Sequence, residues 1–114
     1  MKNFEERPWG SYTVLLDSNS CKVKKIVVNP SHRLSYQIHK KRSEYWVIVS
    51  GEGEVIIDDK SRQVTSGDFV KICRNEKHRI YNNSKTELVF IETQLGDYFG
   101  EDDIIRIEDD YNRI

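Results

Sequence analysis

The sequence predicts an all-β fold, a sandwich or barrel of short strands. Three observations carry this. Runs rich in Val, Ile, Tyr and Thr recur along the chain. Each is bounded by a turn cluster: "DSNS", "NPS", "SGEG", "DDKS", "TSGD", "RNEK" or "NNSK". No segment before residue 100 carries a helical period. Short strands closed at regular spacing by such turns build antiparallel sandwiches and barrels.

Each element follows from its own residues. "SYTVLL" predicts a strand near 11–16 and "CKVKKIVVN" one near 21–29, where branched side chains suit a pleated surface. "LSYQI" gives 34–38, and "EYWVIVS" gives 44–50, stopped by Gly51. "GEVIID" (53–58), "SRQVT" (61–65) and "FVKI" (69–72) follow across tight turns. "KHRIYN" (77–82) and "ELVFIETQ" (87–94) complete the set. The N-terminal stretch, about 1–12, reads as an arm, and the acidic tail, about 101–114, as a short helix or an extended arm. At 114 residues the chain is expected to form one domain around one core.

Charge narrows the function. The net charge is −1, but residues 101–114 hold six acids and two bases, which leaves the body mildly basic. Lys40, Lys41 and Arg42 are consecutive and suit either a small anion or a solvated turn whose charges serve solubility. A nucleic-acid surface needs a larger basic array with interleaved aromatics, and none is visible. The longest apolar run, Tyr45–Val49, is far short of the roughly 20 residues that span a bilayer. "MKNFEERPWG" has no signal-peptide core, so a cytoplasmic protein is expected. Cys21 and Cys73 form no CxxC pair and are expected to be reduced.

Gln37 and His39 are two residues apart, which on a strand places both on one face. Glu44 can return on the neighbouring strand, and His78 begins another strand much later. A lone strand histidine is ordinarily a hydrogen-bonded structural residue; the combination is what points to metal. Two imidazoles, a carboxylate and an amide oxygen make a mixed N/O site for Zn²⁺, Mn²⁺, Co²⁺ or Fe²⁺. Three strong donors and one weak one leave positions open for substrate.

Taken together, the spacings resemble the two motifs of the cupin family. The first is G, five residues, H-x-H, three or four residues, E, six residues, G. Here Ser31 stands at the first Gly, followed by Gln37-x-His39, Glu44 and Gly51 at matching intervals. The second is G, five residues, P-x-G, two residues, H, three residues, N. It is matched by Gly67, Cys73-x-Asn75, His78 and Asn82. The resemblance implies a double-stranded β-helix, a jelly-roll barrel, with Gln37, His39, Glu44 and His78 as ligands of a divalent metal. Zn²⁺ leads, with Mn²⁺, Co²⁺ or Mg²⁺ as alternatives. The chain departs from the motifs at Gln37, Ser31, Cys73 and Asn75.

"RPWGSY", "YQIHKKRSEYWVIVSGEGEV" and "GDYFGEDDIIRIEDDYNR" are similar to the C-terminal cupin domain of type II mannose-6-phosphate isomerases. In that family the domain is often fused to a mannose-1-phosphate guanylyltransferase, whose half this sequence lacks. Members commonly carry three His before the Arg, whereas here the run is His39-Lys40-Lys41-Arg42. The resemblance implies interconversion of mannose 6-phosphate and fructose 6-phosphate, a homodimer, and a separate guanylyltransferase as possible partner.

That reaction needs a base, an enediolate stabiliser and a phosphate hold. Arg42 and Lys41 are the first candidates for phosphate or enediolate contact; Arg79 is another, although alternation points it away from His78. Glu44 counts both as ligand and, with Arg42 and Glu92, among the catalytic candidates. Glu92 and Gln94 share one face of a late strand, and which face lies inside is open. Trp9 and Trp46 are expected to pack, His32 to be solvated, and the tail to cross the barrel mouth or a partner. Two alternatives stand beside the isomerase: a cupin enzyme acting on another sugar or sugar nucleotide, and a non-catalytic sugar-binding or partner domain.

Overall fold

The structure, a computed structural model, describes residues 3–113. The described residues hold strands and turns and no helix. Two antiparallel sheets pack face to face. The larger contains β1 (Phe4–Arg7), β2 (Gly10–Asp17), β3 (Cys21–Val28), β5 (Arg42–Ser50), β8 (Phe69–Ile72) and β10 (Leu88–Gly96), in the order β1-β2-β3-β10-β5-β8. The smaller contains β4 (Tyr36–Ile38), β6 (Glu52–Ile57), β7 (Lys60–Thr65), β9 (His78–Tyr81) and β11 (Ile105–Glu108), in the order β11-β4-β9-β6-β7.

β2 to β10 lie where the sequence placed its nine strands. Two strands were not expected. β1 forms within the arm, of which residues 1 and 2 lie outside the described residues, and it pairs with β2 from Phe4↔Thr13 to Arg7↔Gly10. In the tail, of which residue 114 lies outside, Ile105–Glu108 is a strand rather than a helix, pairing with β4. Both are mostly exposed edge strands, so neither carries the buried alternation that betrays a strand in sequence.

The inner face of the larger sheet changes character along its strands. On β5 the inward residues are Arg42, Glu44, Trp46 and Ile48; on β10 they are Leu88, Phe90, Glu92 and Gln94. Register aligns the two series: Phe90 lies opposite Ile48, Glu92 opposite Trp46, and Gln94 opposite Glu44. On β3, Lys24 stands opposite Glu92 and Ile26 opposite Phe90. One end of the barrel is therefore apolar, closed by Val28, Ile48, Leu88 and Phe90. The other end is lined with buried charge, and burying charge is costly unless it is paired.

Several motif positions have a local cause. Ser31 (φ 64°) and Asn75 (φ 69°) adopt the left-handed conformation that the motif glycines supply elsewhere. Asn tolerates this region better than most residues. Its N–H donates to the carbonyl of His39 at 2.9 Å, which ties the turn before His78 to the other imidazole. Gly51 (φ 84°) admits no side chain, because a Cβ would lie 2.4 Å from the Glu87 carbonyl oxygen. Asn82 is fully buried; its Nδ2 donates to Val28 O (2.9 Å) and Thr86 O (2.7 Å), and its Oδ1 accepts from Ser84. Asn82→Ala strands these groups, so a loss of about 3 kcal/mol in urea denaturation is expected.

Trp9 is buried in the core, as expected. His32, expected to be solvated, is half-buried, stacked 6.2 Å from the Tyr111 ring with Nδ1 on Pro30 O. Cys21 and Cys73 are free thiols. No helix among the described residues is long and apolar enough to cross a membrane.

Candidate metal centre

The charged end of the barrel opens into a pocket lined by residues of both sheets and of the tail. His39, Glu44 and His78 meet there. Each offers one donor atom, and the three atoms lie within 4.8 Å of one another. All three side chains are buried, Glu44 at 2 %, His78 at 3 % and His39 at 4 % exposure. His39 follows β4, Glu44 lies on β5 and His78 opens β9, so the cluster joins the two sheets.

The hydrogen bonds fix the chemistry of both rings. His39 Nδ1 is 2.6 Å from Asp103 O, and His78 Nδ1 is 2.9 Å from Glu76 O. A carbonyl only accepts, so each Nδ1 carries the proton and each neutral ring keeps a lone pair on Nε2. Both Nε2 atoms face the same carboxylate, at 3.3 Å (His39 to Oε2) and 3.9 Å (His78 to Oε1). Two lone pairs aimed at a buried anion repel unless a cation lies between them. A metal-ligating His commonly has its second nitrogen held on a carbonyl in this way. The donor set therefore fits a divalent metal such as Zn²⁺.

Arg42 supplies part of the required positive charge. It is 4 % exposed; its Nε and Nη2 lie 2.9 and 2.8 Å from Glu44 Oε2, and Nη2 donates to His39 Nε2 at 3.2 Å. Trp46 Nε1 donates to Glu44 Oε1 at 3.1 Å and orients the carboxylate from below. Burial pushes the Glu44 carboxyl up, but the Arg42 guanidinium first, and the facing imidazoles when they are protonated, outweigh it and hold it at about 2. Burial lowers His78, and the facing Glu44 charge offsets only part of that.

Glu92 and Gln94 both point into the barrel, which decides the face the sequence left open. Gln94 Nε2 donates to Glu92 Oε2 at 2.6 Å, and its own Oε1 is buried without a partner. Burial first, then the charge of Glu44, pushes the Glu92 carboxyl up to about 8. Gln37 stands opposite His78 and lines the same pocket. Its Nε2 donates to Ser35 Oγ at 3.0 Å, which leaves Oε1 as the free end of the amide.

Of the expected substrate contacts Lys41 and Arg79, one lies away from the pocket and one lines it. Lys41 is exposed, its Nζ over the Tyr98 ring at 5.1 Å, and does not line the pocket. Arg79 pairs with Ile56 and follows His78 on β9, with its Nε donating to Leu34 O at 3.0 Å and its Nη1 to Glu108, and it lines the pocket. Lys40 and Lys41 are both exposed, their N–H groups on the Asp103 carboxylate. Neither side chain lines the pocket. Sequence reasoning missed Lys24, Glu101 and Arg106, which line the pocket. Alternation within "CKVKKIVV" could have found Lys24, which shares a face with Ile26 and Val28; nothing local marks the other two.

Residues 2–109 match the sequence family described as mannose-6-phosphate isomerase C-terminal. The chain belongs to this family. Among curated members, it is 45 % identical over 107 residues to the alginate biosynthesis protein AlgA of Pseudomonas aeruginosa, covering 94 % of this chain and 22 % of that protein. It is 42 % identical over 107 residues to the xanthan biosynthesis protein XanB of Xanthomonas campestris pv. campestris, at 94 % and 23 % coverage. It is 39 % identical over 105 residues to mannose-1-phosphate guanylyltransferase 2 of Escherichia coli O157:H7, at 92 % and 22 % coverage. The chain thus spans about a fifth of the length of the curated relatives it matches. Among solved structures it resembles the capsular polysaccharide assembling protein CapF of Staphylococcus aureus (TM-score 0.78, 21 % identity, 92 % of this chain and 32 % of that one). It also resembles a Klebsiella pneumoniae protein with a double-stranded β-helix domain (TM-score 0.75, 18 % identity, 84 % and 82 %). At these identities the likeness establishes the cupin fold of this family member.

Proposed function

We propose that this domain is a metal-dependent isomerase interconverting mannose 6-phosphate and fructose 6-phosphate. One observation carries the reading: two imidazoles converge on a buried carboxylate, with a second buried carboxyl, Glu92, lining the same pocket. Family membership supplies the substrate class. His39, Glu44 and His78 hold the metal, and Gln37 Oε1 is the fourth, weaker donor. A divalent cation there supplies Lewis-acid polarisation of a sugar carbonyl and neutralises the Glu44 charge.

The chain's own groups do the rest. Glu92 removes the C2 proton of the aldose and delivers it to C1 of the enediol, while the O2 proton passes to O1, so that the aldehyde becomes a hydroxyl and C2 the carbonyl; a buried carboxyl on the pocket wall can act in both directions. Gln94 holds Glu92 Oε2 in place. Arg42 faces the developing enediolate charge. His39 Nε2 has one lone pair, which accepts from Arg42 Nη2 and would be the donor to a bound metal. The homodimer, the cytoplasmic location and association with a guanylyltransferase belong to the same proposal.

The test is a substrate panel followed by NMR. The metal-loaded protein is expected to convert mannose 6-phosphate to fructose 6-phosphate and to leave mannose 1-phosphate and glucose 6-phosphate untouched. Conversion of another sugar alone, or binding without conversion under Zn²⁺, Mn²⁺, Co²⁺ and Mg²⁺, would replace this reading with one of its alternatives.

A further inference from the structure

Lys24 is an unusual residue for the inside of a barrel. It is 4 % exposed, on the inner face of β3, with its ammonium 4.2 Å above the Tyr12 ring. A buried ammonium needs an anion. The one it contacts is Glu101 Oε2 at 3.0 Å, from the connection between β10 and β11. The same oxygen is 3.7 Å from Arg42 Nη1. The Glu101 side chain is 50 % exposed, so two buried cations converge on a carboxylate half in solvent. The site is also under-filled: Arg42 Nη1 and Arg106 Nε are buried at this pocket without any hydrogen-bond acceptor. A single carboxylate cannot satisfy these donors. A phosphate, with more charge and three terminal oxygens, can.

We infer that Lys24 and Arg42 form the subsite for the phosphate of the substrate, and that Glu101 is its internal occupant, displaced when phosphate binds. The incoming phosphate replaces the carboxylate at both cations, so neither is left unpaired, and the half-exposed Glu101 leaves into solvent. The inference deepens the proposed function and rests on it only for the identity of the sugar. The exchange is ionic; no bond is made or broken.

The experiment is calorimetric titration of the metal-free full chain with inorganic phosphate at low ionic strength, with thermal melts confirming that each variant is folded. Without metal, phosphate cannot report on the metal centre. Glu101→Gln removes the competitor and keeps the shape, so it is expected to tighten phosphate by about five-fold. Lys24→Gln is expected to weaken it by about ten-fold or more. If Lys24→Gln does not fold, Lys24→Arg is expected to retain binding. Unchanged or weaker binding in Glu101→Gln overturns the proposal, as does unchanged binding in a folded Lys24→Gln. These effects without mannose 6-phosphate turnover would sink only the isomerase reading; turnover without them would sink only the subsite.

Discussion

Glu92→Gln is expected to cut mannose 6-phosphate turnover by about 10²- to 10⁴-fold, the usual contribution of a positioned acid–base group, while bound metal stays at the wild-type level. The amide keeps the shape and the Gln94 contact but cannot carry the proton. Steady-state kinetics beside metal analysis of the same sample checks this. Wild-type turnover in the variant would remove Glu92 from the mechanism. A stability signature accompanies it in the metal-free protein. Glu92 sits at about 8 when folded and near 4.5 when unfolded, so the folded state binds the proton more tightly. Its stabilisation is complete below about pH 4.5 and is lost as pH rises through 8. Glu44, at about 2, works in the opposite sense: its contribution is present above about 4.5 and lost as pH falls toward 2. Wild-type thermal midpoints should therefore fall between pH 5 and 9, and Glu92→Gln should flatten that fall.

Glu44→Gln should be the most damaging single change in the pocket. It removes a first ligand, so metal affinity should drop by more than the 10- to 100-fold typical of outer-shell changes. It also leaves Arg42 buried without the carboxylate that its Nε and Nη2 contact. Breaking a buried pair from one side costs about 3–5 kcal/mol. Scanning calorimetry with and without Zn²⁺ separates the two effects. The wild type should gain stability with metal, because a ligand that binds only the folded state stabilises it. The variant should melt lower in both conditions and gain nothing. A variant that still gains stability from Zn²⁺ would show that the ion sits elsewhere.

Much of this arrangement was legible in the sequence. The strands β2 to β10 follow from branched residues between turns, because those segments bury one face. The cluster of His39, Glu44 and His78 was read from the resemblance to the cupin motifs, since strand alternation alone places only Gln37 and His39 on one face. The orientation of β10 was not legible. Its two faces read Leu88, Phe90, Glu92, Gln94 and Val89, Ile91, Thr93, Leu95, and both mix apolar with polar residues. Hydrophobicity cannot rank them; only pairing between β3 and β5 does. The tail is the other gap. Asp103 O on His39 and the Glu101 carboxylate on Lys24 join residues more than sixty apart in sequence, and no local signal announces them. The basic turn was ambiguous, reading equally as an anion contact or as a solvated turn. In "HKKR", Arg42 turns inward while Lys40 and Lys41 face solvent.

The most direct measurement is turnover of mannose 6-phosphate by chelator-stripped protein as Zn²⁺ is titrated back, for the wild type and for His39→Ala. Activity is expected to be absent at the start, to rise to a plateau at one ion per chain, and to stay absent in His39→Ala throughout. Full activity in the stripped protein, or equal recovery in His39→Ala, would contradict a catalytic metal held by His39, Glu44 and His78.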